Sequence, residues 1–403
     1  QTSCRWERLL RSQNFMEIET PMLVKTTPGG ARVYKVPSRA HPGKFYALPE
    51  SPQMYKQLLM IAGFDRYFQL TKCLRDEDLR VDRQPEFTQM DIEMSFIERE
   101  DIYKIVEDLL KHIFKRSIDV NIKTPFTRLT YYNAMTKYGS DKPDLRFGLE
   151  FEDVTEIMRH SDFSVFKSQI DKDGVVFCLN AKGCAKFSRS EIDELIEIAK
   201  TYHISGLAWI KVGKKLESSI VKYLPEKVQQ QLIKKVKAEE NDLLLFAAEG
   251  FEKALIVLGE IRLHIGKKLR LIKEDEYKFC WITDFPAFEF NEETNSWEAK
   301  HHIFTSPLDE DIKYIEKEPE KVRAKAYDCV LNGVEIAGGS IRIHKKDIQT
   351  KMLQVIGLTY DQAEEKFDFL INAMKFGCPP HGGIACGFDR ICALLCGLQD
   401  IRE

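Results

Sequence analysis

The sequence has no basic excess. Its 60 lysines and arginines face 63 aspartates and glutamates, for a formal charge of −3. There is no chain-wide positive field to attract nucleic acid, so any RNA contact must be a local patch. The sequence also lacks a run of about 18 apolar residues, the minimum for a membrane-spanning helix. Its most apolar part, residues 243–261, is broken by Glu249, Glu252, Lys253 and Glu260. No internal repeat, low-complexity tract, or signal or transit pattern is visible. The ten cysteines follow no framework spacing and include no Cys-x2-Cys pair. This argues against a disulfide scaffold and for a reducing compartment. Cys378, His381, Cys386, Cys392 and Cys396 cluster in sequence, but Cys392 and Cys396 lie four apart in an apolar helix. Buried thiols explain them better than zinc.

What the chain does have is 403 residues, 43% hydrophobic, enough for two or three packed units. From Phe87 to Phe96 the residues alternate strictly. Phe87, Gln89, Asp91, Glu93 and Ser95 point one way; Thr88, Met90, Ile92, Met94 and Phe96 point the other. That is the period of a strand. Residues 67–74 read as its antiparallel partner. The loop between them holds Arg75, Arg80 and Arg83 beside the acids Asp76, Glu77, Asp78 and Asp82. An arginine fork suits a phosphate, an aromatic plane suits a base, and carboxylates suit a metal or an amine. Together they form a nucleotide site.

Other stretches carry weaker signals. Residues 4–13 read as a helix, followed by a strand over 15–20 that ends at Pro21. Thr26 to Arg32 is a Pro/Gly loop. Ser51-Pro52 reads as a helix start, with serine as cap, and puts Gln53 and Lys56 on one helix face. The pair His301-His302 has no third ligand at helical spacing, so zinc is disfavoured. Asp328 and Glu335 sit on adjoining strand segments around a tight turn, a pair suited to Mg²⁺ on phosphates. Small residues from Ala337 to Ser340 allow a ligand close to the backbone, and Arg342 offers a fork to a carboxylate.

The run from Lys72 to Phe96, with Arg75-Asp76-Glu77 and Gln84-Pro85-Glu86-Phe87-Thr88-Gln89, resembles motif 2 of class II aminoacyl-tRNA synthetases, specifically the bacterial-type aspartyl branch. The resemblance implies an ATP site in which Arg75 holds the α-phosphate, Glu77 reads the adenine amino group and Phe87 stacks on the base. Asp76 and Gln84 would belong to the same site, and Gln89 would lie near the aspartyl adenylate. The string Ser51 to Gln57 is similar to the family's amino-acid site, so Gln53 and Lys56 would hold aspartate together with Arg75. His301 and His302 would contact aspartate and the adenylate. Magnesium would fall on Asp328 and Glu335, the latter also touching ATP, and the substrate side-chain carboxylate on Arg342. Residues 382–390 resemble motif 3, a strand entering a helix. There Arg390 would cover the adenine and reach the γ-phosphate, with Gly387, Phe388 and Asp389 beside it. Arg75 and Arg390 would be the catalytic pair. Four positions depart from the family pattern: Gly29 for glutamate, Ile303 for proline, Ala337 for glycine and Phe388 for leucine.

The implied fold is α+β, an antiparallel sheet flanked by helices and interrupted by a smaller α+β insertion. The core would occupy 1–146 and 276–403, and the insertion 147–275. The implied activity is ATP-dependent activation of L-aspartate to aspartyl-AMP and transfer to tRNA(Asp). The enzyme would be a homodimer joined through the helix, strand and proline of motif 1. A cytoplasmic location is expected, with an organellar matrix as the alternative, and no membrane association. The family continues past both ends of this chain, with an anticodon-binding barrel on the N-terminal side. Two other readings remain open: a class II-like paralogue without an anticodon domain, amide-forming or regulatory, and a non-discriminating enzyme that also charges tRNA(Asn).

Overall fold

The computed structural model describes residues 2–25, 32–79, 83–204, 206–398 and 400–402. Residues 26–31, which include Gly29, and 80–82 at the tip of the charged loop lie outside that set. The chain forms two compact units. The larger comprises Gln1–Arg128, Cys280–Val330 and Glu335–Glu403; the smaller comprises Leu129–Phe279 and Leu331–Val334.

The expected hairpin is the centre of the larger unit. Strands Arg66–Leu74 and Glu86–Ser95 pair antiparallel, with Cys73 opposite Phe87 and Gln69 opposite Asp91. Strand His381–Gly387 adds to the second of these and sets Gly383 opposite Glu93. Strands Val334–Ile341, Ala326–Leu331, Phe279–Thr283 and Thr127–Thr130 continue the sheet, and Met16–Glu17 pairs in parallel at the other edge. Only those two residues form the strand expected over 15–20. Beyond them the Ile18 N–H still bonds to Phe68, but the Thr20 hydroxyl turns to the Gln69 side chain. The turn between Ala326–Leu331 and Val334–Ile341 is Asn332-Gly333, both at positive φ (53° and 87°). A two-residue turn of that shape matches strand twist, and Asn-Gly adopts it at little cost.

Alternation along Glu86–Ser95 holds, with one difference. Met90, Ile92 and Met94 are fully buried, and so are Asp91 and Glu93 on the other face. Helix Gln53–Ile61 packs against this hairpin, so the polar face is enclosed rather than wet. Its N-cap is Pro52, with no side-chain cap bond, in place of the expected Ser51. Helix Arg99–Ile118 buries Ile102, Val106, Leu109 and Ile113 along one stripe. Tyr103, Trp281 and Tyr327 form an aromatic cluster beside it. The buried Glu107 carboxylate accepts from Trp281 Nε1 and the Phe126 N–H.

The smaller unit is a five-stranded antiparallel sheet, Leu216–Glu217, Ala208–Val212, Leu243–Glu249, Val175–Ala181 and Phe151–Asp153 in that order. Helices Arg189–Thr201 and Phe251–Lys268 cover one face, and Ser164–Ile170 and Glu226–Lys235 the other. The unit reaches back to Leu129 because helix Tyr131–Tyr138 packs on Phe251–Lys268.

Close approach at Gly383 is a condition of the larger unit's packing. A Cβ there would lie 1.9 Å from Glu93 Oε2 and 2.2 Å from the Ile92 carbonyl oxygen. We expect Gly383→Ala to destabilise the chain by roughly 3 kcal/mol, the upper range for overpacking. Urea unfolding measures it, and a loss below about 1 kcal/mol would show that strand and carboxylate can part without strain.

Candidate active site

A cavity of about 520 Å³ opens in the larger unit, and its polar floor comes from three separate segments. Lys56, on helix Gln53–Ile61, places Nζ 2.6 Å from Asp91 Oδ1 and 3.3 Å from Glu93 Oε2. Arg342, just past strand Val334–Ile341, donates from Nε and Nη2 to the two Glu93 oxygens at 3.0 and 3.2 Å. Its Nη1 donates to Ser340 Oγ at 2.6 Å. All four charged residues are buried. A guanidinium has five N–H groups; three are taken, so two remain for a ligand carboxylate.

The two carboxylates respond differently to enclosure. Burial raises Asp91 to about 6, with Lys56 opposing. Burial pushes Glu93 upward as well, but the charges of Arg342 and Lys56 outweigh it and hold Glu93 at about 2. Glu93 is therefore a fixed anion, whereas Asp91 takes up a proton in mildly acid solution.

A second wall is aromatic and cationic. The Arg75 guanidinium lies 5.1 Å from the centre of the Phe87 ring, and its Nε donates to the Glu50 carbonyl. Glu77 is paired with Arg83 at 3.1 Å. Arg390 donates from Nη1 to the Glu335 carbonyl at 2.9 Å. Asp389 accepts from the Thr88 N–H at 2.8 Å, which ties helix Phe388–Cys396 to the hairpin.

Asp328 and Glu335 converge over Gly338. A Cβ on that glycine would meet Asp328 Oδ1 at 2.8 Å and Glu335 Oε1 at 3.3 Å. The two oxygens are thus no more than the sum of these, about 6 Å, apart. Among the described residues no group of three His, Cys, Asp or Glu side chains could hold a metal. Two carboxylates alone suit Mg²⁺, which keeps waters and takes its other ligands from phosphates. Burial lowers His301 to about 4 and His302 to about 3, so both rings are neutral. His301 Nε2 is buried with no hydrogen-bond partner, an atom left for a ligand.

Every candidate residue from the sequence lines this cavity except two. Asp76 exchanges backbone and side-chain bonds with Arg32, and Phe388 turns its ring edge-on to Trp6 at 5.8 Å. Ala337 lines the wall without positive φ, so its methyl is accommodated there. The charged cavity residues outside the candidates are Asp91 and Arg83. Asp91 was visible on the strand's polar face; its burial against Lys56 was not.

The raised carboxyl has a measurable consequence. Asp91 binds its proton more tightly in the folded chain (about 6) than an ordinary aspartate does (3.8). Its contribution to stability is therefore present at low pH and lost as pH rises through 6. Between pH 7 and pH 5 the wild type should gain about 1 kcal/mol on Asp91→Asn. Urea unfolding of both proteins at the two pH values tests this, and parallel changes would mean that Asp91 is not raised.

A family profile described as tRNA synthetases class II (D, K and N) matches residues 4–403. The chain is 51% identical over 391 residues to an aspartate–tRNA ligase of Ruminiclostridium cellulolyticum, covering 96% of this chain and 66% of that one. It is 53% identical over 395 residues to an aspartate–tRNA(Asp/Asn) ligase of Caldanaerobacter subterraneus subsp. tengcongensis, covering 98% and 67%. The chain thus spans about two thirds of the length of these curated relatives. In fold it is similar to the asparaginyl-tRNA synthetase of Pyrococcus horikoshii, at a TM-score of 0.53 and 15% identity, covering all of this chain and 64% of that one. Arg75, Phe87 and Arg390 around one cavity, and a sheet whose central strands pair antiparallel, agree with the profile match along nearly the whole length: the chain belongs to the class II tRNA synthetases of the D, K and N group.

Proposed function

We propose that this chain carries the catalytic chemistry of an aspartate–tRNA ligase: L-aspartate is activated by ATP to aspartyl-AMP, and the aspartyl group passes to tRNA(Asp). One observation carries this reading. A single cavity joins a buried cation pair, Lys56 and Arg342, to an arginine–aromatic wall, Arg75 and Phe87. The names of the relatives agree with it.

The substrate's side-chain carboxylate takes the two remaining N–H groups of Arg342 and the field of Lys56. Its α-carboxylate oxygen attacks the α-phosphorus in line, the bond to the β-phosphate oxygen breaks, and pyrophosphate leaves. Arg75 neutralises charge that develops on the α-phosphate, and Phe87 and Arg390 sandwich the adenine. Asp328 and Glu335 would hold Mg²⁺, which supplies positive charge to the phosphate oxygens. In the second step a ribose hydroxyl of the tRNA attacks the aspartyl carbonyl and AMP leaves.

Several finer assignments belong to the same proposal. The smaller unit is the bacterial-type insertion. The chain dimerises through its first segment, where Met16, Met22, Leu23, Phe45 and Tyr46 are exposed around the Val24–Ala47 bridge. The bacterial kind of the relatives favours the cytoplasm. No helix among the described residues is long and apolar enough to cross a membrane. Relatives named for both tRNA(Asp) and tRNA(Asn) stand at 52–53% identity, beside 51% for one named for aspartate alone. A second reading therefore has the chain serve both tRNAs, and charging assays with each decide between them.

Two measurements test the pocket. Arg75→Ala should lose about 3 kcal/mol of transition-state stabilisation, a hundredfold or more in aspartate-dependent ATP–pyrophosphate exchange. Near-wild-type exchange would remove Arg75 from the reaction. L-Asparagine, nearly isosteric with aspartate, should be rejected by roughly 10⁴-fold, because its amide sets N–H donors against those of Lys56 and Arg342. Lys56→Ala or Arg342→Ala should erode that ratio through weaker aspartate use. Comparable exchange with asparagine would overturn the aspartate assignment.

A further inference from the structure

A buried hydrogen-bond chain leaves the cavity through helix Gln53–Ile61 and ends on a backbone carbonyl. That carbonyl dictates the polarity of every link. His381 Nδ1 lies 2.8 Å from the Pro379 carbonyl oxygen. A carbonyl only accepts, so Nδ1 carries a proton. Burial lowers the His381 pKa, Arg342 and His344 lower it further, and Glu93 and the Pro379 bond oppose them; the ring is neutral. Nε2 is then an acceptor. The Gln57 amide faces it at 3.2 Å and must present its NH₂ there. Gln57 Oε1 is thereby turned to Gln53, 3.1 Å away, which must answer with an N–H. Gln53, Gln57 and His381 are 8%, 1% and 0% exposed, so water does not rearrange these links. Gln53 lines the cavity; Gln57 and His381 do not.

We infer that His381 and Gln57 are positioning residues that hold the Gln53 amide with its carbonyl oxygen offered to the cavity, where it selects an ammonium group. This rests on the cavity being the aspartate site. The ammonium is the donor-rich end of that substrate, and an NH₂ turned toward it would oppose donor to donor. The chain reaches neither the Arg75–Phe87 wall nor the Asp328–Glu335 pair, so it acts on amino-acid binding and not on the nucleotide. The positive end of the substrate is thus read by an amide whose orientation is set two side chains away, by a proline carbonyl just before strand His381–Gly387.

A packing role would make the chain matter equally for any ligand of the floor. The test therefore compares two ligands that differ in the ammonium. L-Aspartate has it; succinate carries both carboxylates without it. Gln57→Met and His381→Leu each break the chain with little change in volume. In aspartate-dependent ATP–pyrophosphate exchange, either variant should raise the KM for aspartate by about tenfold or more, the loss expected for one hydrogen bond to a charged group. The KM for ATP and the inhibition constant of succinate should stay within about twofold of wild type. Succinate binding also reports that the cavity is folded, and if His381→Leu does not fold, Gln57→Met carries the test. Aspartate and succinate weakened together, or aspartate unaffected, would overturn the inference. Wild type that neither uses aspartate nor binds succinate would overturn the pocket reading itself.

Discussion

Four buried charges organise the larger unit: Lys56, Asp91, Glu93 and Arg342. A single charge in such a place would have to neutralise itself or leave. Two of each sign, at hydrogen-bonding distance, can stay. The arrangement constrains its neighbours. Glu93 occupies the space that a side chain at residue 383 would need, so the adjoining strand carries glycine there. Arg342 is held in one orientation by Glu93 and Ser340, which leaves its remaining N–H groups aimed by the protein and not by the ligand. Removing one member would strand the others, an outcome more damaging than never having built the network.

The same enclosure explains the division of labour in the cavity. At the floor, low dielectric strengthens charge–charge contacts, and discrimination between an acid and its amide becomes possible. Toward Arg75 and Phe87 the residues are more exposed, and the binding surface is a cation beside an aromatic plane. Both regions border one cavity, whose lining includes the small residues Gly338 and Gly339. The two histidines beside them are kept neutral by burial, so they offer hydrogen bonds without adding positive charge to a site that already has its cations.

Much of this was readable from residue order. Strict alternation over 87–96 identified the central strand, and Asn332-Gly333 marked a hairpin turn. The strand entering a helix was legible over residues 382–390 through its resemblance to motif 3. Other features were not. The strand expected over 15–20 is two residues long, since an edge strand's length depends on what its neighbour offers. The smaller unit begins at Leu129 because a helix docks on a partner more than a hundred residues later, a contact with no local signal.

The sequence by itself determined which side chains lie on each face of each strand and helix, because periods of two and 3.6 residues are properties of the local backbone. It also determined, through its motifs, the family and the kinds of chemistry available. Only the tertiary structure decided that the polar face of residues 87–95 is buried and that Lys56 meets Asp91 and Glu93. It alone turned Phe388 toward Trp6 and set His381 at the end of a chain leading to Gln53. These outcomes depend on the dielectric and on the partners around each group. Both are set by segments distant in sequence, and no local pattern encodes them.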